Sequence, residues 1–257
     1  MNKPNLSVVL ATYNEEANLD RCLKSVADIA DEIVIVDGQS SDKTVEIAKK
    51  YHARVISTTN KPNFHINKNI GIDAASGKWI LQLDADEAVS PPLAQEIKSV
   101  TTQELSGYWI PRLNYFLGRP LTKGGQYPDY TLRLYLNGSG RLPAKDVHEQ
   151  AVVKGEVGYL SSDLWHFNTP DFDNYLLRFN RYTSLIATQL KESRTPISFW
   201  SALNYLFLKP AVELFMIYIR HRGYVDGFPG FVFALFSGLR FAVAYIKYWQ
   251  ITEYPND

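Results

Sequence analysis

Trp79-Ile80-Leu81-Gln82-Leu83-Asp84-Ala85-Asp86-Glu87 is the stretch on which the reading of this chain turns. Its first five residues are an apolar, strand-like run. The run stops abruptly in three acids separated by one alanine. A strand that carries carboxylates past its C-terminal end places them at the rim of a sheet, where open α/β sheets bind ligands. Two aspartates at alternate positions can approach one hard cation together, directly or through water. Such a cation keeps waters and bridges to substrate phosphates. The stretch therefore predicts a metal–diphosphate site.

Working outward, the first hundred residues alternate strand and helix patterns. Leu6 to Ala11, Glu32 to Asp37 and Ala53 to Ser57 read as strands. Glu15 to Ala30 reads as a helix, with Leu19, Leu23 and Val26 on one face and Asn14 as its cap. A second helix follows Asp42 through Lys50, and a third runs from Ile66 to Ala75. The strands are near-continuous Val/Ile/Leu runs, as expected where both faces are covered. This alternation predicts a doubly wound, mainly parallel sheet. From about 106 to 170 short strand-like pieces sit among Gly, Pro and Asn, the texture of an antiparallel half with site-forming loops. Asp171 to Lys191 reads as a helix, and the chain is apolar and aromatic from 197 onward.

Composition narrows the classes. The chain has 257 residues, 46% of them hydrophobic, and a formal net charge of zero, which argues against a nucleic-acid-binding protein driven by bulk charge. The single cysteine, Cys22, excludes an intrachain disulfide framework. It falls in step with Leu19, Leu23 and Val26, so a buried core thiol is expected. No signal peptide is visible at the N-terminus, and a cytoplasmic protein is expected.

Three acidic strand ends should share one edge: Tyr13-Asn14-Glu15, Asp37, and Asp84-Ala85-Asp86. Asp37 can accept a hydrogen bond from a uracil-type imide N–H, and a strand-end acid adds little to a core. Asp84 can take a ribose hydroxyl or a metal-bound water, and Asp86 can bind the cation directly. Each acid alone could merely cap the next helix. Lys68 and Asn69 can face the same edge and contact phosphates. No Gly-x-Gly-x-x-Gly follows the first strand, and no P-loop is present. A second polar cluster is Asp146-Val147-His148-Glu149: His148 can bind a metal as neutral imidazole, and Glu149 can act as general base. His166 offers a competing metal ligand. Asp129 with Arg133 can line an acceptor pocket or balance leaving-group charge, or can form a structural ion pair.

These residues resemble the family 2 glycosyltransferases of the GT-A fold. The resemblance is carried by Ser7 to Glu16, Val36 to Thr44, Asn67-Lys68-Asn69-Ile70-Gly71, and Leu83-Asp84-Ala85-Asp86-Glu87, over roughly the first ninety residues. Val147-His148-Glu149 and Gly223 to Gly230 look like the bacterial branch that includes lipopolysaccharide core glucosyltransferases of the WaaE type. The resemblance implies a nucleotide-sugar donor, inversion at the anomeric carbon, and Mg²⁺ or Mn²⁺. It makes Asp37 the nucleobase contact and Asp84-Ala85-Asp86 a DXD metal motif, and it adds Thr12, Tyr13, Glu15 and Asp42 to the donor contacts. Many relatives place a Glu-Asp pair where this chain has His148-Glu149, which leaves Asp146 as the competing base.

The expected protein is thus an α/β, GT-A catalytic domain over 1–195 with an apolar helical extension over 196–257. It would move a sugar from a UDP-linked donor to a glycan or lipid-linked acceptor of the bacterial envelope. A sugar nucleotidyltransferase is the competing enzyme, though Ala11-Thr12-Tyr13-Asn14 lacks that class's Gly-rich, Arg-containing loop. A membrane-docked scaffold with a relic site is the non-enzyme alternative. The extension is expected to hold the enzyme on the inner membrane surface without crossing it, because Pro229, Gly230 and Gly238 interrupt its longest apolar run. Burial against the catalytic domain or a second subunit is the competing role for it.

Overall fold

The computed structural model describes residues 5–61, 63–101, 105–143, 150–169 and 171–254. Its elements in chain order are β1 (Leu6–Thr12), α1 (Leu19–Val26), β2 (Glu32–Asp37), α2 (Thr44–Lys50), β3 (Arg54–Ser57), α3 (Phe64–Ala74), β4 (Trp79–Leu83), β5 (Glu87–Val89), α4 (Pro91–Val100), β6 (Gly107–Phe116), β7 (Arg119–Pro120), β8 (Asp129–Leu136), β9 (Gly140–Arg141), β10 (Val152–Val153), β11 (Val157–Tyr159), β12 (Leu164–Thr169), α5 (Phe172–Glu192), α6 (Phe199–Leu203), α7 (Lys209–Leu214) and α8 (Gly227–Glu253).

The main sheet runs β3-β2-β1-β4-β8-β6-β12-β5. The β3-β2-β1-β4 half is parallel, and β8 lies antiparallel to both β4 and β6. This is the mixed, doubly wound sheet expected from the alternation. Register explains why the acids meet: Thr12 pairs with Asp37, Asp37 with Ser57, and Leu10 with Leu83, so three strands end level. The core beneath is formed by Val8, Leu10, Leu81 and Leu83 packed on Leu19, Leu23 and Leu93. Cys22 is fully buried there as expected, and burial pushes its thiol well above the usual value.

The chain groups into two compact units. Unit 1 holds the residues up to Arg112 together with Asp129–His166, and unit 2 holds Leu113–Pro128 and Phe167–Asp257. The expected boundary at 195/196 thus falls inside unit 2. The reason is that α5 shares a core with α8, where Ala187 and Leu190 pack with Tyr245 and Tyr248.

Two local expectations need correction. Asn14 does not cap α1: its φ is +55°, and its amide oxygen accepts from Ser41 N at 2.8 Å, tying the β1–α1 loop to the β2–α2 loop. Pro229 and Gly230 do not interrupt the last apolar run. Gly227–Glu253 is one continuous helix, and Pro229 sits in its first turn, where the missing N–H costs nothing. Gly238 lies where a Cβ would stand 2.6 Å from the Pro210 carbonyl oxygen, so it permits a close helix crossing rather than ending the helix.

Candidate functional site

The Asp84-Ala85-Asp86 turn between β4 and β5 is closed from both ends. Glu87 N donates to the Asp84 carbonyl at 3.0 Å, and Asp84 N donates to the Glu87 carboxylate at 2.9 Å. Glu87 is completely buried. Its charge is met by Arg133 at 2.8 Å and, further off, by Arg112 at 3.5 Å. Arg133 comes from β8, one residue beyond the Leu81–Leu134 pair, so it lies across from Gln82. Its guanidinium also pairs with Asp84, whose other oxygen meets Lys68. Gln82, with its amide assigned so that the oxygen faces these cations, accepts from Lys68 Nζ at 3.1 Å and from Arg133.

Lys68 reaches Asp84 because α3 lies close on the sheet. A Cβ on Gly71 would come within 2.6 Å of Val9 Cγ1, so glycine sets that approach. Burial pushes the Asp84 carboxyl up, but Arg133 and Lys68 outweigh it and hold it well below the usual carboxylate range. Burial lowers the Lys68 ammonium in turn, with Asp84 opposing.

Asp86 has a different environment. Its carboxylate is part-exposed, as is that of Asp84, but its neighbour is the His166 imidazole, with Nε2 at 3.5 Å, in place of a lysine or arginine. Both line a cleft of about 300 Å³ together with Thr12, Tyr13, Glu15, Lys68 and Asp84. Asn60, Phe64 and Asn67 also line it. Burial raises the Glu15 carboxyl, with Asp86 and Asp84 adding repulsion against a bond from Asn18.

Thr12, Tyr13, Glu15, Lys68, Asp84 and Asp86 are therefore brought together as expected. Asp37, Asp42 and Asn69 stand apart from the cleft wall. Asp42 accepts from Thr44 N at 2.9 Å and from Glu16 N at 3.1 Å, knitting two loops. Asn69 spends both ends of its amide on the Leu142 backbone, at 2.9 and 3.2 Å. Asp129 pairs with Arg112, at 2.7 and 2.9 Å, and not with Arg133 as the ion-pair reading had it. Arg133 reaches the acidic turn, through Asp84 and Glu87. Asp146, His148 and Glu149 lie outside the described residues. Gln82 and Arg112 were not expected at the site, and Glu87 was read as a rim acid with no role of its own. Glu87 had a visible signal, since it directly follows the acidic turn.

Asp37 also corrects the expectation that it adds little to the fold. It is 2% exposed, and it accepts from Ser40 N at 2.9 Å, Ser40 Oγ at 2.6 Å and Thr12 Oγ1 at 3.2 Å. Asp37→Ala is expected to cost about 1–3 kcal/mol of folding stability, because buried donors lose their acceptor. Urea unfolding of the variant measures this, and an unchanged midpoint would refute it.

A mixed sheet with an acid-lined cleft at its level strand ends is the architecture of a GT-A glycosyltransferase. The chain belongs to glycosyl transferase family 2, whose sequence model matches residues 7–148. It is 28% identical over 253 residues to the lipopolysaccharide core biosynthesis glycosyltransferase LpsC of Rhizobium meliloti, covering 95% of this chain and 92% of that one. It is 27% identical over 243 residues to an uncharacterized glycosyltransferase of Rickettsia bellii, covering 88% and 80%. Among solved structures, S. aureus TarS residues 1–349 in complex with UDP superposes with a TM-score of 0.50 at 16% identity, over 97% of this chain and 90% of that one. That likeness bears on the fold alone. The protein is a glycosyltransferase, and the nucleotidyltransferase reading falls away.

Proposed function

We propose that this enzyme transfers a hexose, with inversion, from a uridine-type nucleotide sugar to a hydroxyl of a bacterial envelope glycan or glycolipid such as lipopolysaccharide core. The observation that carries the reading is the division of labour between two neighbouring aspartates. Asp84 is neutralised by Lys68 and Arg133, while Asp86 is left facing the cleft beside His166. The similarity to LpsC supports the acceptor class.

Among the described residues no group of three or more His, Cys, Asp or Glu gathers around one point. Asp86 and His166 nonetheless fit Mg²⁺ or Mn²⁺ in the way such ions bind at diphosphate sites, with one or two protein ligands and the rest from phosphate and water. When bound, the ion offsets the charge of the departing nucleoside diphosphate. His148 remains a candidate alongside His166. Asp84, fixed by its two cations, presents its remaining lone pairs to a ribose hydroxyl. Among the described residues Asp37 Oδ2 accepts one bond, from Ser40 N, so its other lone pair is the one an imide N–H would take. Thr12, Tyr13 and Glu15 line the donor side.

We assign the general base to Glu149, with Asp146 as its competitor. Glu149→Gln is expected to cut turnover by roughly a hundredfold or more with donor affinity near normal. A large loss in Asp146→Asn, with Glu149→Gln unaffected, would move the assignment. The overall reading is tested by incubating the purified protein with UDP-sugars and Mn²⁺ and following UDP release with and without lipopolysaccharide core acceptor. Acceptor-stimulated release supports it, and no release from any UDP-sugar overturns it. A place on the cytoplasmic face of the inner membrane would bring the site to such an acceptor.

A further inference from the structure

The apolar end of unit 2 is built inside out. From Phe199 to Arg220 the backbone is one helical rod of 22 residues, in which α6 and α7 alternate with the π-helical turns Asn204–Leu208 and Phe215–Arg220. One face of the rod packs on α8. Its other face carries Phe207, Leu208, Val212, Phe215, Met216 and Ile219, all exposed. These recur every four residues, and the wider π turns keep such a stripe straight along the rod. A helix at a water-facing protein surface shows the opposite arrangement, apolar inward and charged outward.

The rod's own charges before Arg220, Lys209 and Glu213, lie on its α8 side, against Phe241 and Arg240. Lys209 stacks over the Tyr205 ring at 3.7 Å. Glu213 pairs with Arg240 of α8 at 2.7 Å. Lys247 donates to Asn180 Oδ1, Thr183 and Ser184 of α5 at 2.7–2.9 Å. Asp226 accepts from Thr122 Oγ1 at 2.6 Å and Lys123 N at 2.9 Å. The basic residues at the turn, Arg220, His221 and Arg222, are instead exposed, next to exposed Tyr224 and Phe228.

We propose that this rod lies in the acyl layer of one leaflet of an anionic bilayer, parallel to its plane, with Arg220, His221 and Arg222 at the headgroup phosphates. The inference deepens the membrane-surface placement proposed above and rests on it. Three features select lipid over a protein partner. From Phe207 to Ile219, about three turns, the outward stripe offers no side-chain hydrogen-bonding group, whereas protein interfaces carry about one hydrogen bond per 100–200 Å² and a polar rim. A cationic cluster beside aromatic rings matches anionic headgroups and the interfacial layer. An apolar groove of about 480 Å³, lined by Phe199, Leu206, Ile246 and Trp249, extends the same greasy surface.

The in-plane orientation follows from α5. It packs along another face of α8 and exposes Asp173, Arg178 and Arg181 along its length. Charges at bilayer depth are costly, so the α5–α8 layer stays on the water side and the hairpin does not cross.

The test uses the full chain and sealed vesicles of phosphatidylglycerol and phosphatidylethanolamine. The protein should float with the vesicles, resist high salt and alkaline carbonate, and come off only in detergent. Val212→Glu/Phe215→Glu should lower the bound fraction roughly tenfold or more while UDP-sugar hydrolysis in detergent solution is unchanged. Arg222→Cys should react fully with a membrane-impermeant maleimide. Release by salt alone, with the double variant binding normally, would overturn embedding yet leave surface docking intact. Absence of flotation with a stable dimer in solution would overturn both and make the stripe a subunit interface. Protection of Arg222→Cys by sealed vesicles would show a crossing hairpin and overturn the in-plane orientation. The donor-hydrolysis readout stands apart from all of these, so a failure of the enzymatic reading is seen separately.

Discussion

Asp86→Ala is expected to reduce sugar transfer to near background and to remove the metal dependence of UDP binding, with the protein still folded. The structure explains why these effects separate. Asp86 is part-exposed on the cleft wall, and the His166 imidazole lies 3.5 Å from it. It is not among the groups that hold the turn closed, since that is done by Asp84 and Glu87. Losing its carboxylate removes a ligand from the ion that would offset leaving-group charge. An effect of that kind is worth several kcal/mol, or roughly a thousandfold in rate. The measurements are turnover at saturating Mn²⁺ and calorimetry of UDP binding with and without the ion. Retention of most activity at saturating Mn²⁺ would sink the assignment. His166→Ala in parallel decides the second ligand: a matching loss of metal-dependent UDP affinity supports His166, and no loss returns the role to His148.

The alignment of acids was legible in the sequence because parallel strands of similar length end together. Short apolar runs followed by Asp or Glu are then enough to place Thr12, Asp37 and Asp84 on one rim. Which acids the neighbouring loops engage was not legible. Asp37, Asp42 and Asp86 look alike in one dimension, yet the first already accepts from Ser40 and Thr12, and the second from Thr44 and Glu16. Those bonds depend on loop conformation, including a positive φ at Asn14, which no periodicity reports. Arg133 was visible only as a strand residue with an uncertain partner. Its partners lie 49 and 46 residues away and are fixed by the antiparallel register of β8 on β4. The apolar C-terminal run was misread at its prolines and glycines. Pro229 starts a helix and Gly238 seats one against Pro210, so both residues act through position rather than propensity.

Removing the Arg133 guanidinium should unfold more of the protein than any other single change at the site. Arg133→Met keeps a long apolar stem but strips the charge that faces Asp84 and Glu87. Glu87 is completely buried, and the remaining nearby cation, Arg112, stands 3.5 Å away and is committed to Asp129 at 2.7 Å. Asp84 would keep Lys68, so the uncompensated charge falls mainly on Glu87. Breaking a buried pair from one side typically costs about 3–5 kcal/mol, because the partner is left charged in a poor solvent. Desolvation alone opposes burying the guanidinium, and only the two carboxylates keep its pKa above the ordinary value. Arg133→Lys should recover part of the loss, since one ammonium cannot serve two carboxylates in the geometry of a planar fork. Adding Glu87→Gln to Arg133→Met should cost less than the sum of the two single changes, because the neutral amide no longer needs a counter-charge. Urea unfolding of the four variants measures the coupling. A loss below about 1 kcal/mol in Arg133→Met, or strict additivity in the double variant, would show that the acidic turn is held by its backbone bonds alone.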